Sequence, residues 1–228
     1  MIEEPPRLSL RRPDRRPSDA QIAAFQNVPT SFVADALGGG GAMEHDVKPL
    51  WDAQVAGPAL TAGNGPGDIM ATLGALAFIK TGDVLVSAAG RYLGCAAAGD
   101  RVCGMARNAG AVGLVTDGAA RDVQGIAEVG LPIWCRGVTP ASPFTTGPGT
   151  IGLPVVVAGQ HVETGDMIVA DGDGVIVVPF DRLDAVIQQL DDIQSLEKGL
   201  DAEVSDGLKH PAVVLDWLND PAITKTVE

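Results

Sequence analysis

Aromatic residues are scarce: one Tyr, three Trp and five Phe make up 4% of a 228-residue chain. Cysteine and histidine are scarcer still, with three of each. Cys95, Cys103 and Cys135 are an odd number with no Cys-x-x-Cys spacing, and His45, His161 and His210 stand far apart. These counts argue against a disulfide framework and against a local zinc motif, and they suit a reducing cytosol. No Gly-x-Ser-x-Gly elbow with a later histidine occurs, so a serine-hydrolase triad is not indicated. The longest uncharged apolar run, residues 69–79, is too short to span a bilayer. Met1 is followed by Glu3, Glu4 and Pro5 rather than by the apolar core of a signal peptide. The expectation is a cytoplasmic protein with no membrane partner. Positive charge is also short: 16 basic residues against 29 acidic ones leave a net charge of −13. A phosphate backbone would be repelled, so nucleic acid is not an expected partner.

What the chain does have is an ordinary apolar content of 46%, with 29 Gly and 16 Pro. A chain of this length buries roughly 70% of its unfolded surface and needs no staple to fold. The glycine and proline excess points to many tight loops in an α/β protein. The charge is uneven. Residues 1–20 hold five Arg and four acids, whereas residues 181–228 hold eleven acids and four bases, which reads as a solvated helical face. The expected organisation is a Pro/Arg-rich N-terminal arm over 1–17, one α/β domain over 18–204, and a helical tail over 205–228. The arm reads as extended, either a disordered terminus or a strap on a neighbouring subunit.

Along the chain, Ser18 is placed to cap a helix running to Phe25, and Thr30 or Ser31 to cap a second that Gly38 ends. Strands are predicted at 53–62, 84–88, 112–116 and 131–135. Helices are predicted at 68–80, 92–109 (broken or started near Gly99-Asp100) and 121–129. This alternation implies parallel pairing with right-handed crossovers. A Gly/Pro loop over 137–154, several short strands, and helices at 181–204 and 211–218 complete the chain.

Few motifs carry chemistry. GPGTIG over 147–152 matches Gly-x-Gly-x-x-Gly, but a strand-like VVV follows where a dinucleotide site needs a helix. DGDG over 171–174 resembles half a calcium loop, yet its twelfth position is Arg182, so a hairpin turn is the better reading. The three cysteines lack an evident base partner and read as small core residues. The informative block is TDGAARD over 116–122. It follows a strand and opens a helix, where open sheets gather ligands and helix N-termini meet anions. Arg121 suits a bidentate grip on a carboxylate and Asp122 a hard divalent cation. Spacing alone leaves open a plainer reading, a surface Arg beside an Asp placed for the helix dipole. A second anion cradle is possible at Gly99, Asp100, Arg101 and Val102, where glycine permits close backbone approach.

The run from Gly82 to Pro179 resembles the RraA-like family, which includes the class II aldolases for 4-hydroxy-4-methyl-2-oxoglutarate and 4-carboxy-4-hydroxy-2-oxoadipate. The matching pieces are TGDVLV, AGDRV, ARNAGAVGLVTDGAARD, GLPIWCRGVTP, the Gly-Pro-Gly loop and GDMIVADGDGVIVVP, with SFVADALGG and VAGPALT earlier. The resemblance spans about residues 30–200. It implies an α/β/α swivelling-domain-like fold with a mixed sheet, assembled as a homotrimer or homohexamer with the site between subunits. It also implies Mg²⁺, Mn²⁺ or another divalent cation on Asp122, a substrate carboxylate on Arg121, and a keto acid held by the amides of Gly99, Asp100, Arg101 and Val102. Asp100, or Glu197 from across the interface, would steer the base. The implied reaction cleaves a 4-hydroxy-2-oxo dicarboxylic or tricarboxylic acid to pyruvate and a second keto acid, with oxaloacetate decarboxylation as a side activity. Two departures stand out: Arg101-Val102 replaces two apolar residues, and Asp100 replaces a glutamate. Some family members instead bind and inhibit a ribonuclease E-like enzyme without catalysis, which is the alternative. No motif here would hold a methyl-donor nucleotide.

Overall fold

Two apolar runs, Val84–Ala88 and Gly113–Thr116, are buried along their whole length, as parallel strands covered on both faces must be. In the computed structural model, which describes residues 6–227, they pair in parallel with each other. Val55–Asn64 and Ile133–Cys135 flank them, also in parallel. These four strands are the predicted alternating series. Further strands widen them into a nine-stranded mixed sheet. Gly149–Ile151 runs antiparallel to the second half of Val55–Asn64, and Leu8–Leu10 lies parallel outside it. Met167–Ala170 runs antiparallel to the first half and carries Val175–Val178 beyond it. Lys48–Pro49 closes the opposite edge.

Alternation along the central strands sorts their side chains into two cores. Leu60, Leu85, Leu114 and Ile133 face Val102, Cys103, Ala106 and Ile126 of the helices Asp100–Ala109 and Val123–Val129. Ala59, Val84, Val86, Val115 and Trp134 face Val155, Val157, Ile168 and Val177. Trp134 is fully buried, and its indole N–H donates to the Asp171 carbonyl at 2.8 Å. The fold is thus the expected mixed α/β arrangement built on a mixed sheet.

Ser18 caps the helix Asp19–Ala24 through a full capping box with Gln21. The second helix, Thr30–Ala36, differs from expectation. Thr30 lies inside it, and the cap comes from Asp171, whose carboxylate accepts the Thr30 N–H at 2.9 Å and its hydroxyl at 2.8 Å. DGDG is the predicted hairpin turn, between Met167–Ala170 and Val175–Val178. Residues 92–98 are not helical. Ala96–Ala98 is instead a strand in a separate parallel sheet with Ala119–Ala120 and Gly137–Val138. Alanine on its own favours helix, and backbone pairing with the neighbouring strands overrides that preference here. The next helix begins at Val123 rather than at residue 121, so Arg121 and Asp122 sit on the strand-to-helix link.

The described part of the arm packs on its own chain. Arg15 pairs with Glu163 at 3.0 Å and Asp166 at 3.3 Å. Arg16 pairs with Asp83 and donates to the Thr81 carbonyl at 2.8 Å. Asp83 and Asp166 are both buried, and burial raises both carboxyls above the usual range despite their hydrogen bonds and arginine partners. Residues 1–5 of the arm lie outside the described residues. The chain forms two compact units, Met1–Leu190 and Asp191–Glu228. The helix Leu183–Ser205 begins in the first unit and continues into the second, which also holds the helix Val213–Asn219. Among the described residues, no helix is long and apolar enough to cross a membrane.

Candidate functional site

The small parallel sheet gathers three chain crossings. Ala96–Ala98 delivers Gly99 and the helix Asp100–Ala109, Ala119–Ala120 delivers Arg121 and Asp122, and Gly137–Val138 delivers the loop that follows. All three open on one side, the C-terminal ends of parallel strands, where α/β sheets place ligands. Close packing explains the small residues. Ala97 is buried, and a Cβ on Gly118 would come within 2.8 Å of the Ala89 and Ala97 methyls.

Gly99 brings the two halves of the site together. A side chain there would lie 3.1 Å from both Arg121 Cγ and Asp122 Oδ2. A side chain there would push the pair aside by a few tenths of an ångström, whereas the bare backbone leaves it undisturbed and lets a ligand approach the chain closely. The N–H groups of Asp100, Arg101 and Val102, in the first turn, have no carbonyl of their own helix to meet. That of Arg101 donates instead to the Asp100 carboxylate at 2.7 Å.

Arg121 is held at both ends of its guanidinium. Nη1 donates to Ser142 Oγ at 2.5 Å, and Nε lies 3.3 Å from Asp122 Oδ2. Asp122 adopts the left-handed conformation, φ 57° and ψ 44°, as the residue that opens the helix Val123–Val129. Aspartate tolerates this region better than most residues, and such backbone concentrates at functional sites. Its side chain is 48% exposed. A small cleft opens among Gly99, Asp100, Arg101, Val102 and Arg121, walled by Ile69 and Pro143. On its other side, the Arg121–Asp122 pair faces a shallower opening with Val138, Thr139 and Pro140.

The loop that supplies Ser142 and Pro143 is tied down from below. Phe144 N–H donates to the Gly67 carbonyl at 2.8 Å, Ile69 N–H to the Phe144 carbonyl at 3.0 Å, and Gly147 N–H to the Asp68 carboxylate at 2.9 Å. Ser142 belongs to no recognisable spacing, and Ile69 reads in the sequence only as an apolar position of the helix predicted over 68–80.

The residues fit a hard cation. Asp122 offers a half-exposed carboxylate beside Arg121, on the shallower opening, and among the described residues no three His, Cys, Asp or Glu side chains converge. A magnesium-type ion is commonly held by one or two carboxylates and otherwise by water and substrate oxygens. Other chemistries find less support. Cys95, Cys103 and Cys135 are buried, and burial raises all three thiols, Cys103 to about 12. They are protonated core residues at neutral pH. No lysine lines the cleft. Lys80, the sole lysine between residues 49 and 197, lines a crevice with Arg16 and Asp83 instead. Glu197 is half-exposed on the long helix within the second unit.

Comparison with known proteins adds independent information. A family profile described as RraA-like, Aldolase/RraA, matches residues 30–177. A protein of Halalkalibacterium halodurans provisionally named 4-hydroxy-4-methyl-2-oxoglutarate aldolase is 36% identical over 202 residues, covering 88% of this chain and 96% of the relative. An uncharacterised Pseudomonas syringae structure superposes with a TM-score of 0.76 at 24% identity, covering 85% and 92% of the two chains. Streptomyces coelicolor RraAS2, described as an unusual member of the RNase ES inhibitor RraA family, superposes with a TM-score of 0.72 at 28% identity, covering 82% and 98%.

Proposed function

The chain belongs to the RraA-like family, and from that premise we propose that it is a divalent-metal-dependent lyase. Its substrate would be a 4-hydroxy-2-oxo dicarboxylic or tricarboxylic acid, cleaved to pyruvate and a second keto acid. The observation that carries this reading is the meeting at Gly99 of a fixed guanidinium, the half-exposed carboxylate paired with it and the first turn of a ten-residue helix. The provisional aldolase name of the Halalkalibacterium relative supports it.

The residues divide the work. Arg121, steadied by Ser142 and Asp122, binds the carboxylate next to the 2-oxo group. The N–H groups of the first turn, residues 100–102, receive the same end of the substrate, that of Arg101 once the Asp100 carboxylate releases it, and the helix dipole favours the substrate's charge. Asp122 would hold the cation, which supplies charge stabilisation for the pyruvate enolate left when the C3–C4 bond breaks. Asp100, the carboxylate that lines the cleft, steers removal of the C4 hydroxyl proton. In the homotrimer or homohexamer we propose, Glu197 of a neighbouring copy shares that task. Oxaloacetate would pass through the same enolate and lose carbon dioxide.

Incubation with oxaloacetate or 4-hydroxy-4-methyl-2-oxoglutarate and Mg²⁺ should release pyruvate. EDTA should abolish the release, and Mg²⁺ or Mn²⁺ should restore it. Full activity in chelator would refute the metal role. The likeness to RraAS2 favours a second reading, a regulator of a ribonuclease E-like partner. That reading predicts no pyruvate from either substrate and measurable inhibition of the ribonuclease.

Arg121→Ala should lower kcat/KM roughly 30- to 150-fold, the effect of losing a charged hydrogen-bond pair. A rise in KM alone would mean that the grip is equal in ground and transition states. A fall in kcat would mean that it positions the enolate. An unchanged kcat/KM would remove Arg121 from the site.

A further inference from the structure

We infer that Arg101 makes this cleft selective for oxo acids that carry a second carboxylate, away from the 2-oxo acid end. The inference rests on the proposed lyase reading and names the residue that reads the substrate's second carboxylate.

Arg101 and Arg121 are the two cations that line the cleft. They are not equivalent. The Arg121 guanidinium is engaged by its own chain, through Ser142 at 2.5 Å and Asp122 at 3.3 Å. The Arg101 guanidinium is exposed and makes no hydrogen bond or ion pair with any described residue; only its backbone N–H is used, by Asp100. Its place is also electrostatically adverse. It is the second residue of the helix Asp100–Ala109, at the positive end of the helix dipole, where acidic side chains are favoured. A cation so placed, with no acid among the described residues to answer it, is set to meet an anion from outside.

A substrate of the proposed class supplies that anion. Its C1 carboxylate is met by Arg121 and the first-turn amides. A carboxylate on C4 or beyond lies at the far end of the same small molecule, and Arg101 is the cleft-lining cation not already engaged. An oxo acid with one carboxylate leaves Arg101 unanswered. A dicarboxylate or tricarboxylate satisfies both cations. Because Arg101 is exposed, water and salt screen the pair, and the discrimination should be about tenfold rather than a thousandfold.

Calorimetric titration with pyruvate and with 2-oxoglutarate, both in Mg²⁺, tests this without turnover. Wild type should bind 2-oxoglutarate about tenfold more tightly than pyruvate. Arg101→Leu should reduce that ratio to near one by weakening 2-oxoglutarate more than pyruvate, and Arg101→Lys should restore part of it. The inference is overturned if Arg101→Leu keeps the preference, if it weakens both ligands equally, or if wild type shows no preference or binds neither. Pyruvate release from 4-hydroxy-4-methyl-2-oxoglutarate, measured in parallel, decides the lyase reading separately. A binding preference lost in Arg101→Leu without any turnover would support the role of Arg101 and count against catalysis.

Discussion

Asp122→Asn should lower pyruvate release by roughly a thousandfold or more while leaving the protein folded. The substitution keeps the size of the side chain and removes its charge. Asparagine, like aspartate, accepts the left-handed conformation that position 122 adopts, so the backbone that opens the helix Val123–Val129 is undisturbed. Alanine is a poorer probe, because it would add backbone strain of about 1 kcal/mol at φ 57°. A neutral amide holds a hard dication weakly. The charge that develops on the enolate then loses its main stabiliser, an effect worth several kcal/mol in metal-assisted reactions. Excess Mg²⁺ should rescue activity only in part. The melting temperature should shift by no more than a few degrees, since the side chain is half exposed. Wild-type turnover in Asp122→Asn would place the cation elsewhere.

Arg16→Ala, remote from the cleft, should cost about 3 kcal/mol of folding free energy. It leaves Asp83, whose side chain is 7% exposed, without its guanidinium partner. Removing one member of a buried pair strands the other charge, which costs more than the pair is worth. The loss has a definite pH dependence. Burial already raises the Asp83 carboxyl in the folded protein, and Arg16 opposes that rise. Without Arg16 the folded-state value climbs further. A carboxyl raised on folding favours the folded state below its unfolded value and loses that contribution as the pH rises through the folded value. The deficit of Arg16→Ala should therefore be full at neutral pH and shrink as the pH falls towards the ordinary value of 3.8. Asp83→Asn in the same chain should recover much of the loss. Denaturant unfolding at several pH values measures all of this, and a pH-independent deficit would contradict it.

The sequence revealed features whose physics is local. The buried runs Val84–Ala88 and Gly113–Thr116 announce parallel strands, Ser18 announces a capped helix, and the acidic stretch after residue 181 announces a solvated one. What it concealed depends on distant partners. Ala96–Ala98 is a strand because Ala119–Ala120 pairs with it, and alanine alone reads as helix. Thr30 is capped from Asp171, 141 residues away. Arg16 finds Asp83 across 67 residues. At the site, the family motif brought Gly99, Arg121 and Asp122 into view together. The left-handed backbone of Asp122 and the hold of Ser142 on Arg121 belong to the folded chain and leave no spacing to read.

The central claim is that Asp122, Arg121 and the first turn after Gly99 form one metal-assisted keto-acid site. Its most direct test is a crystal grown with Mn²⁺ and oxalate, a compact dianion that mimics the pyruvate enolate. The account predicts an anomalous difference peak for manganese at the Asp122 carboxylate, with oxalate between that ion, Arg121 and the N–H groups of residues 100–102. A manganese peak at any other group, or oxalate bound away from Arg121, would contradict it.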